Sequence, residues 1–230
     1  KKSDLTVDVF FNGSYNKNEI LQLDGLSDFQ GTGATRLQVG EAFGTYNTVR
    51  YLGADPSNGQ PLYLDIDGNV TNVYSLDDRV SSGKSFIPKY TGGFGLNASY
   101  KGFQLSTLFS FAAEQYRLNS SLAIIEDVSL AGFANQSTTM LDAWQQPGDI
   151  TSIPSVNFPS IRLQNTDRYL EDASYLRLRN ITLAYILDGN KFQDSKYFSS
   201  VRLYVQAQNM FTWTKYRGFD PESNQSTNFF

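Results

Sequence analysis

The sequence predicts an all-β fold: an antiparallel transmembrane β-barrel fragment of about five strands with long extracellular loops. Three observations predict this fold. Several stretches alternate apolar and polar residues, the connections between them alternate between long and short, and aromatic residues collect where the stretches end. A period of two is typical of strands with one apolar face. Membrane barrels join such strands by short turns on one rim and long loops on the other.

The alternation defines five strands in chain order. They are Asp4–Asn16, Tyr90–Tyr100, Phe103–Phe111, Tyr169–Leu187 and Val201–Trp213. Lys101-Gly102, between the second and the third, predicts a tight hairpin turn. In the fourth strand the alternation slips near Arg179-Asn180. Such a slip indicates either a β-bulge or a strand that leaves its apolar surroundings.

The connections and the aromatic residues favour a membrane barrel over a soluble sandwich. Lys17–Lys89 and Ala112–Arg168 are far longer than compact soluble domains usually tolerate without structure of their own. Aromatic residues near strand ends are typical of interfacial girdles; they are Tyr90, Tyr100, Phe103, Phe109, Phe111, Tyr185, Phe211 and Trp213. Alternation alone does not separate the two folds. A secreted soluble β-sandwich that binds polysaccharide therefore stays open as the alternative.

Five strands are too few to close a membrane barrel, because such barrels begin at about eight strands and have an even count. We therefore expect the remaining strands to lie outside these 230 residues.

The composition argues against most enzyme mechanisms and against nucleic-acid binding. The chain has no Cys and no His, and its formal net charge is −4. Thiolate nucleophiles, imidazole bases and the usual zinc ligands are therefore missing, and a basic footprint for nucleic acid is missing too. Asp65-Ile66-Asp67-Gly68-Asn69 resembles the start of a calcium loop, but it lacks the glycine at position six and the distal glutamate. We expect a turn there, with no catalytic residue, metal or cofactor in the chain.

Four segments resemble the C-terminal part of SusC/RagA-type TonB-dependent outer-membrane transporters of Bacteroidota. They are YTGGFGLNASYKGFQLS (90–106), AWQQPGD (143–149), LEDASYLRLRNITLAY (170–185) and VRLYVQAQNMFTWTKYRGFDPE (201–222). Three earlier segments are also similar to that family and follow its usual order: Ser14–Leu23, Val39–Tyr46 and Pro61–Thr71. The resemblance thus covers nearly the whole chain.

The resemblance implies a channel subunit in the outer membrane of a Gram-negative, Bacteroidota-like cell. Such a transporter has a 22-stranded barrel with an N-terminal plug, lies in outer-membrane lipid, and is capped by a SusD-like surface lipoprotein. It imports oligosaccharides or oligopeptides with energy from TonB. Residues 1–230 would be the C-terminal part of the barrel, with the plug domain and the closing strand outside this chain.

The polar sides of the strands are the candidate channel wall. We expect seven residues to face the lumen: Asn97, Ser99, Gln104, Ser106, Arg202, Gln206 and Gln208. Such a wall is uncharged to weakly charged and suits neutral polar solutes. In the long loops, Trp144 and Asp149 are candidates for contact with the substrate or the lid lipoprotein. Trp144 could equally hold the fold of its own loop.

Overall fold

The computed structural model describes residues 4–24, 34–130, 132–158, 163, 165–187 and 197–223. Its strands are β1 (Leu5–Tyr15), β2 (Thr45–Ala54), β3 (Pro61–Leu64), β4 (Val70–Thr71), β5 (Arg79–Ser85), β6 (Tyr90–Tyr100), β7 (Phe103–Ala113), β8 (Tyr116–Leu118), β9 (Leu170–Asp172), β10 (Tyr175–Leu187) and β11 (Val201–Thr214). The α-helix α1 (Ser120–Ile125) spans under two turns. Within the described ranges, every helix is too short or too polar to cross a membrane. The chain divides into two compact units.

The first unit is a single antiparallel sheet of five strands. It comprises Lys1–Asn16, Pro88–Ala113 and Ser174–Lys215, with the strand order β1-β6-β7-β10-β11. The predicted antiparallel five-stranded sheet is therefore confirmed. One boundary was wrong: the predicted strand Tyr169–Leu187 is two strands, because Leu170–Asp172 pairs with β8 and the long strand begins only at Tyr175.

Two local predictions within this sheet are confirmed. Lys101 and Gly102 join β6 to β7 with φ angles of 47° and 91°. Positive φ at both central residues defines a turn whose twist matches the flanking strands. In β10, Leu178 pairs with Phe109 and Asn180 pairs with Leu108, so Arg179 is an extra residue at a β-bulge. The bulge resets the alternation and explains the slip in the sequence.

The second unit is built from the long connections, which the sequence predicts only as loops. It comprises Lys17–Ile87, Glu114–Ala173 and Tyr216–Phe230. It contains a four-stranded sheet of order β4-β3-β2-β5, the β8-β9 pair and α1. Its core residues come from distant parts of the chain: Val49, Tyr63, Ala123, Leu163 and Tyr169. The connections therefore fold together around their own hydrophobic core.

The turn between β3 and β4 is the one predicted at Asp65–Asn69. The Asp65 carboxylate accepts a hydrogen bond of 2.7 Å from the backbone N–H of Asn69 and another from its side-chain amide. This carboxylate thus closes the turn by bonding within its own loop, as Asp side chains commonly do.

Candidate functional site

The five-stranded sheet has one apolar and one polar face, and the strand register aligns similar residues in rows across it. Two neighbouring rows near the middle of the apolar face are almost wholly aliphatic. One contains Val7, Ala98, Leu105, Leu183 and Val205, and the other Val9, Leu96, Thr107, Ile181 and Ala207. These two rows are called the aliphatic belt below.

Aromatic rows lie on both sides of the aliphatic belt. Toward the short turns lie Tyr100, Phe103 and Tyr185, and toward the long connections lie Phe11, Phe94, Phe109, Phe211, Phe111, Trp213, Tyr15 and Tyr90. The eleven residues of β1 cross all six rows. At a strand tilt of about 40° they span about 25 Å, which matches the apolar band of membrane barrels.

Much of the apolar face is exposed or partly exposed, even on the strands that have a neighbour on both sides, although Leu178 is buried. Phe103 on β7 is 55% exposed and Leu183 on β10 is 54% exposed. In a soluble sandwich a second sheet would cover such residues. An exposed apolar face of five strands is instead typical of a surface that contacts lipid or another apolar partner.

The opposite face is predominantly polar, and its rows contain the predicted wall residues. One row crosses all five strands: Asp8, Asn97, Ser106, Thr182 and Gln206. Within it, the Ser106 hydroxyl donates to the amide oxygen of Asn97 over 2.7 Å. Gln208 lies opposite Asn180 in the next row. All seven residues that the sequence predicts for the wall therefore lie on strands of this sheet.

A concavity of about 300 Å³ in this face brings five of the seven predicted residues together. Its lining consists of eight residues of the polar face, Thr6, Asp8, Asn97, Ser99, Gln104, Ser106, Thr182 and Arg202, together with Ala98 and Leu105, whose side chains belong to the aliphatic belt. Gln206 and Gln208 lie outside this lining. The sequence prediction missed Thr6, Asp8 and Thr182, although each occupies a polar position of its strand's alternation. The register, which the sequence does not show, places them beside the others.

The concavity offers mainly uncharged hydrogen-bonding groups. Asp8 and Arg202 are the two charged residues of its lining and have opposite signs. The Arg202 guanidinium lies 5.2 Å from the centre of the Tyr204 ring, within the range of a cation–π contact. Hydroxyl and amide groups donate and accept hydrogen bonds. The chemistry of this lining therefore suits polar solutes that have little net charge.

Trp144 and Asp149, the two loop candidates, make contacts within the second unit. The Trp144 indole N–H donates to the carbonyl of Pro56 over 3.2 Å. The Asp149 carboxylate accepts from the backbone N–H groups of Gln145 and Gln146, both at 3.0 Å. The Trp144 contact joins the two long connections to each other, whereas the Asp149 contacts lie within its own loop. They leave the role of both residues in substrate or lid contact as a prediction.

The second unit also contains a buried charged cluster that the sequence did not single out. Arg168 forms a 3.0 Å ion pair with Glu126, and its guanidinium lies 5.7 Å from the ring centre of Tyr51 and 5.3 Å from that of Tyr169. The side chains of Arg168 and Glu126 are only 11% and 2% exposed. Because Glu126 compensates the buried charge of Arg168, removal of either partner would leave the other charge buried and uncompensated.

Burial and pairing shift the pKa values of this cluster. Burial acts to raise the pKa of Glu126, but the hydrogen bonds from Thr139 and Arg168 and the Arg168 charge outweigh it and hold the pKa below its usual value. Burial raises the pKa of Tyr169 to about 12, against the lowering effect of Arg168. At neutral pH the Glu126 carboxylate is therefore ionised, as its ion pair with Arg168 requires, and the Tyr169 phenol is protonated.

The chain is similar to known TonB-dependent receptors. It is 31% identical to TonB-dependent receptor P3 of Formosa agariphila over 96% of its length and 24% of that protein. It is 28% identical to TonB-dependent receptor SusC of Bacteroides thetaiotaomicron over 95% of its length and 22% of that protein. The chain thus spans about a quarter of the length of the relatives that it matches. No protein-family model matches it.

Solved structures give the same result for the fold. The RagAB peptide importer in the closed-closed state matches 96% of this chain with a TM-score of 0.84 and 31% identity, and the match covers 25% of that structure's chain. The open-open state matches with a TM-score of 0.83. In both sequence and fold, the chain is therefore similar to a segment of SusC/RagA-type TonB-dependent receptors, and its antiparallel sheet is similar to part of their β-barrels.

Proposed function

We propose that the five-stranded sheet is part of the wall of a TonB-dependent outer-membrane channel that imports oligosaccharides or oligopeptides. The observation that supports this most strongly is the aliphatic belt between two aromatic zones, opposite a polar face. Lipid would contact the belt, and water and solute would contact the polar face. The exposure of Leu183 argues against the alternative of a polysaccharide-binding sandwich.

The proposal assigns the other parts of the import machinery to the rest of the receptor. Residues 1–230 would form a C-terminal part of the barrel, and the plug, the TonB contact and the closing strand would lie outside them. The long connections would lie on the extracellular side, because outer-membrane barrels have short turns on the periplasmic rim and long loops on the outer rim. A SusD-like lipoprotein would cover that side.

Uptake by cells that express the full-length receptor tests the proposed function. Cells would be given labelled neutral oligosaccharides from a dextran hydrolysate and, separately, labelled peptides from a casein digest. We expect uptake of one panel that requires both the receptor and TonB. Uptake that persists without TonB, or uptake of neither panel, would contradict the proposal.

A further inference from the structure

The polar face of the sheet contains two exposed apolar residues on either side of a glycine. Phe10 on β1 pairs with Gly95 on β6, and Gly95 pairs with Leu108 on β7. Phe10 is 41% exposed and Leu108 is 40% exposed. Phe10, Gly95 and Leu108 are called the platform below. The row next to the platform is polar across all five strands, so the two exposed apolar residues beside it indicate a role beyond hydration of a channel.

Gly95 allows the aromatic ring of the platform to lie against bare backbone. A Cβ atom at this position would be 2.4 Å from Cζ of Phe10 and 2.3 Å from the carbonyl oxygen of Thr107. Both distances are shorter than real contacts allow. Any larger residue at position 95 would therefore displace the Phe10 ring, whereas glycine allows the ring to lie against the backbone of β6.

Hydrogen-bonding groups lie directly beside the platform. The next row along the strands contains Asp8, Asn97 and Ser106, two residues from Phe10, Gly95 and Leu108 respectively. Two residues along a strand correspond to about 7 Å. An apolar surface thus adjoins hydroxyl, amide and carboxylate groups at a distance that a single sugar ring can span.

Neutral sugars have the chemistry that matches this combination. A pyranose ring has an apolar face of C–H groups and a rim of hydroxyl groups that both donate and accept hydrogen bonds. The hydroxyl and amide groups of Ser106 and Asn97 likewise donate and accept. An extended peptide places successive side chains on opposite sides of its backbone, so its apolar groups come from separate side chains, whereas a sugar combines both kinds of group in one ring.

We propose that the platform and its neighbouring polar row form a binding subsite for a neutral sugar ring in the channel wall. This inference rests on the proposed function and specifies its substrate class. The Phe10 ring and Leu108 contact the C–H face of the sugar, and the row of Asp8, Asn97 and Ser106 binds its hydroxyl groups. Oligosaccharide would thus touch this wall during its passage.

Uptake kinetics of the full-length receptor test the subsite. The change is Phe10→Leu, which keeps an apolar side chain and removes the ring. Loss of an aromatic contact corresponds to about a threefold to tenfold rise in the half-saturating concentration of the dextran-hydrolysate oligosaccharides. Phe10→Tyr keeps an aromatic ring, so its half-saturating concentration should equal that of the unaltered receptor. Leu108→Ser should raise the half-saturating concentration without any change to the aromatic ring.

The matched control is Phe11→Leu, one residue along β1 on the apolar face, where the Phe11 ring lies 6.4 Å from that of Phe111. It should leave the half-saturating concentration unchanged, and immunoblots of outer membranes would correct all rates for receptor amount. Unchanged oligosaccharide kinetics in Phe10→Leu, or uptake of peptides alone, would overturn the subsite while the channel function stands. Uptake of neither panel by the unaltered receptor would reject the channel function and the subsite together.

Discussion

An arginine placed in the aliphatic belt should destabilise the inserted receptor, and the same change on the polar face should not. Ile181 lies in the belt on β10, and Thr182 is its neighbour on the polar face. Because β10 pairs with β7 on one side and β11 on the other, both positions lie within the sheet. Ile181→Arg and Thr182→Arg therefore form a matched pair.

The register sets the size of the expected effect. The six rows of the apolar face are two residues apart, and the row of Ile181 is the third of them. It therefore lies one residue, or about 3 Å, from the middle of the apolar band. Arginine on the lipid face at the midplane costs about 2–4 kcal/mol, whereas near an interface it costs about 0–1 kcal/mol. Leu203, in the outermost row, supplies the second control.

The assay is equilibrium unfolding of the full-length receptor from lipid vesicles, with the folded fraction read from its mobility on gels without heating. We expect a loss of about 2–4 kcal/mol in the free energy of unfolding for Ile181→Arg. Leu203→Arg and Thr182→Arg should each lose about 1 kcal/mol or less. Equal losses for Ile181→Arg and Thr182→Arg, or a larger loss for Thr182→Arg, would refute the assignment of the two faces.

Two further predictions concern the second unit. Glu126→Gln should lower its free energy of unfolding by about 3 kcal/mol at neutral pH, because it leaves the Arg168 charge buried without its partner. The pKa of Glu126 is lowered in the folded state, so its stabilisation is present above the usual carboxyl pKa and is lost as the pH falls through the lowered value. Urea unfolding at several pH values should therefore show the free energies of unfolding of the variant and the parent converging in acid. A difference that stays constant with pH would contradict this. Gly59→Ala should destabilise the unit by about 1–3 kcal/mol and shift tryptophan emission, because the new Cβ would be 2.5 Å from the Trp144 ring. Gly68→Ala is its control, with a φ of 89° and open space around it; an equal loss in both variants would show that backbone strain alone acts.

The sequence predicted the five-stranded sheet because each of its strands carries its own signal. The alternation in Tyr90–Tyr100 and the Lys101-Gly102 turn are local features, and the structure reproduces both. The slip near Arg179 could be seen in the sequence as well, and the pairing with β7 shows that it is a bulge. The alignment of Asp8 with Asn97 and Ser106 depends on register between strands that are far apart in the chain, so it required the structure.

The second unit was missed because its signals are short and distant from one another. Its strands β3, β4, β8 and β9 have only two to four residues each, too few to show a clear period. The ten-residue β2 is buried at most positions on both faces, so it shows no apolar–polar alternation. Its core joins Val49 to Tyr169 across more than a hundred residues. The ion pair of Glu126 with Arg168 spans 42 positions. Such contacts form only when the connections fold together, and no local pattern predicts them.

Labelling of single cysteines along β7 tests most directly whether one face of the sheet contacts lipid and the other contacts water. These 230 residues contain no native cysteine, so only the introduced one can be labelled in this segment. Cysteines would be placed one at a time at Gln104, Leu105, Ser106 and Thr107 in the full-length receptor in membranes, with the unaltered receptor as the blank. We expect a charged, water-soluble maleimide to label positions 104 and 106 and to leave 105 and 107 unlabelled. Labelling of 105 and 107 in place of 104 and 106, or equal labelling of all four, would contradict a wall with lipid on one side and water on the other.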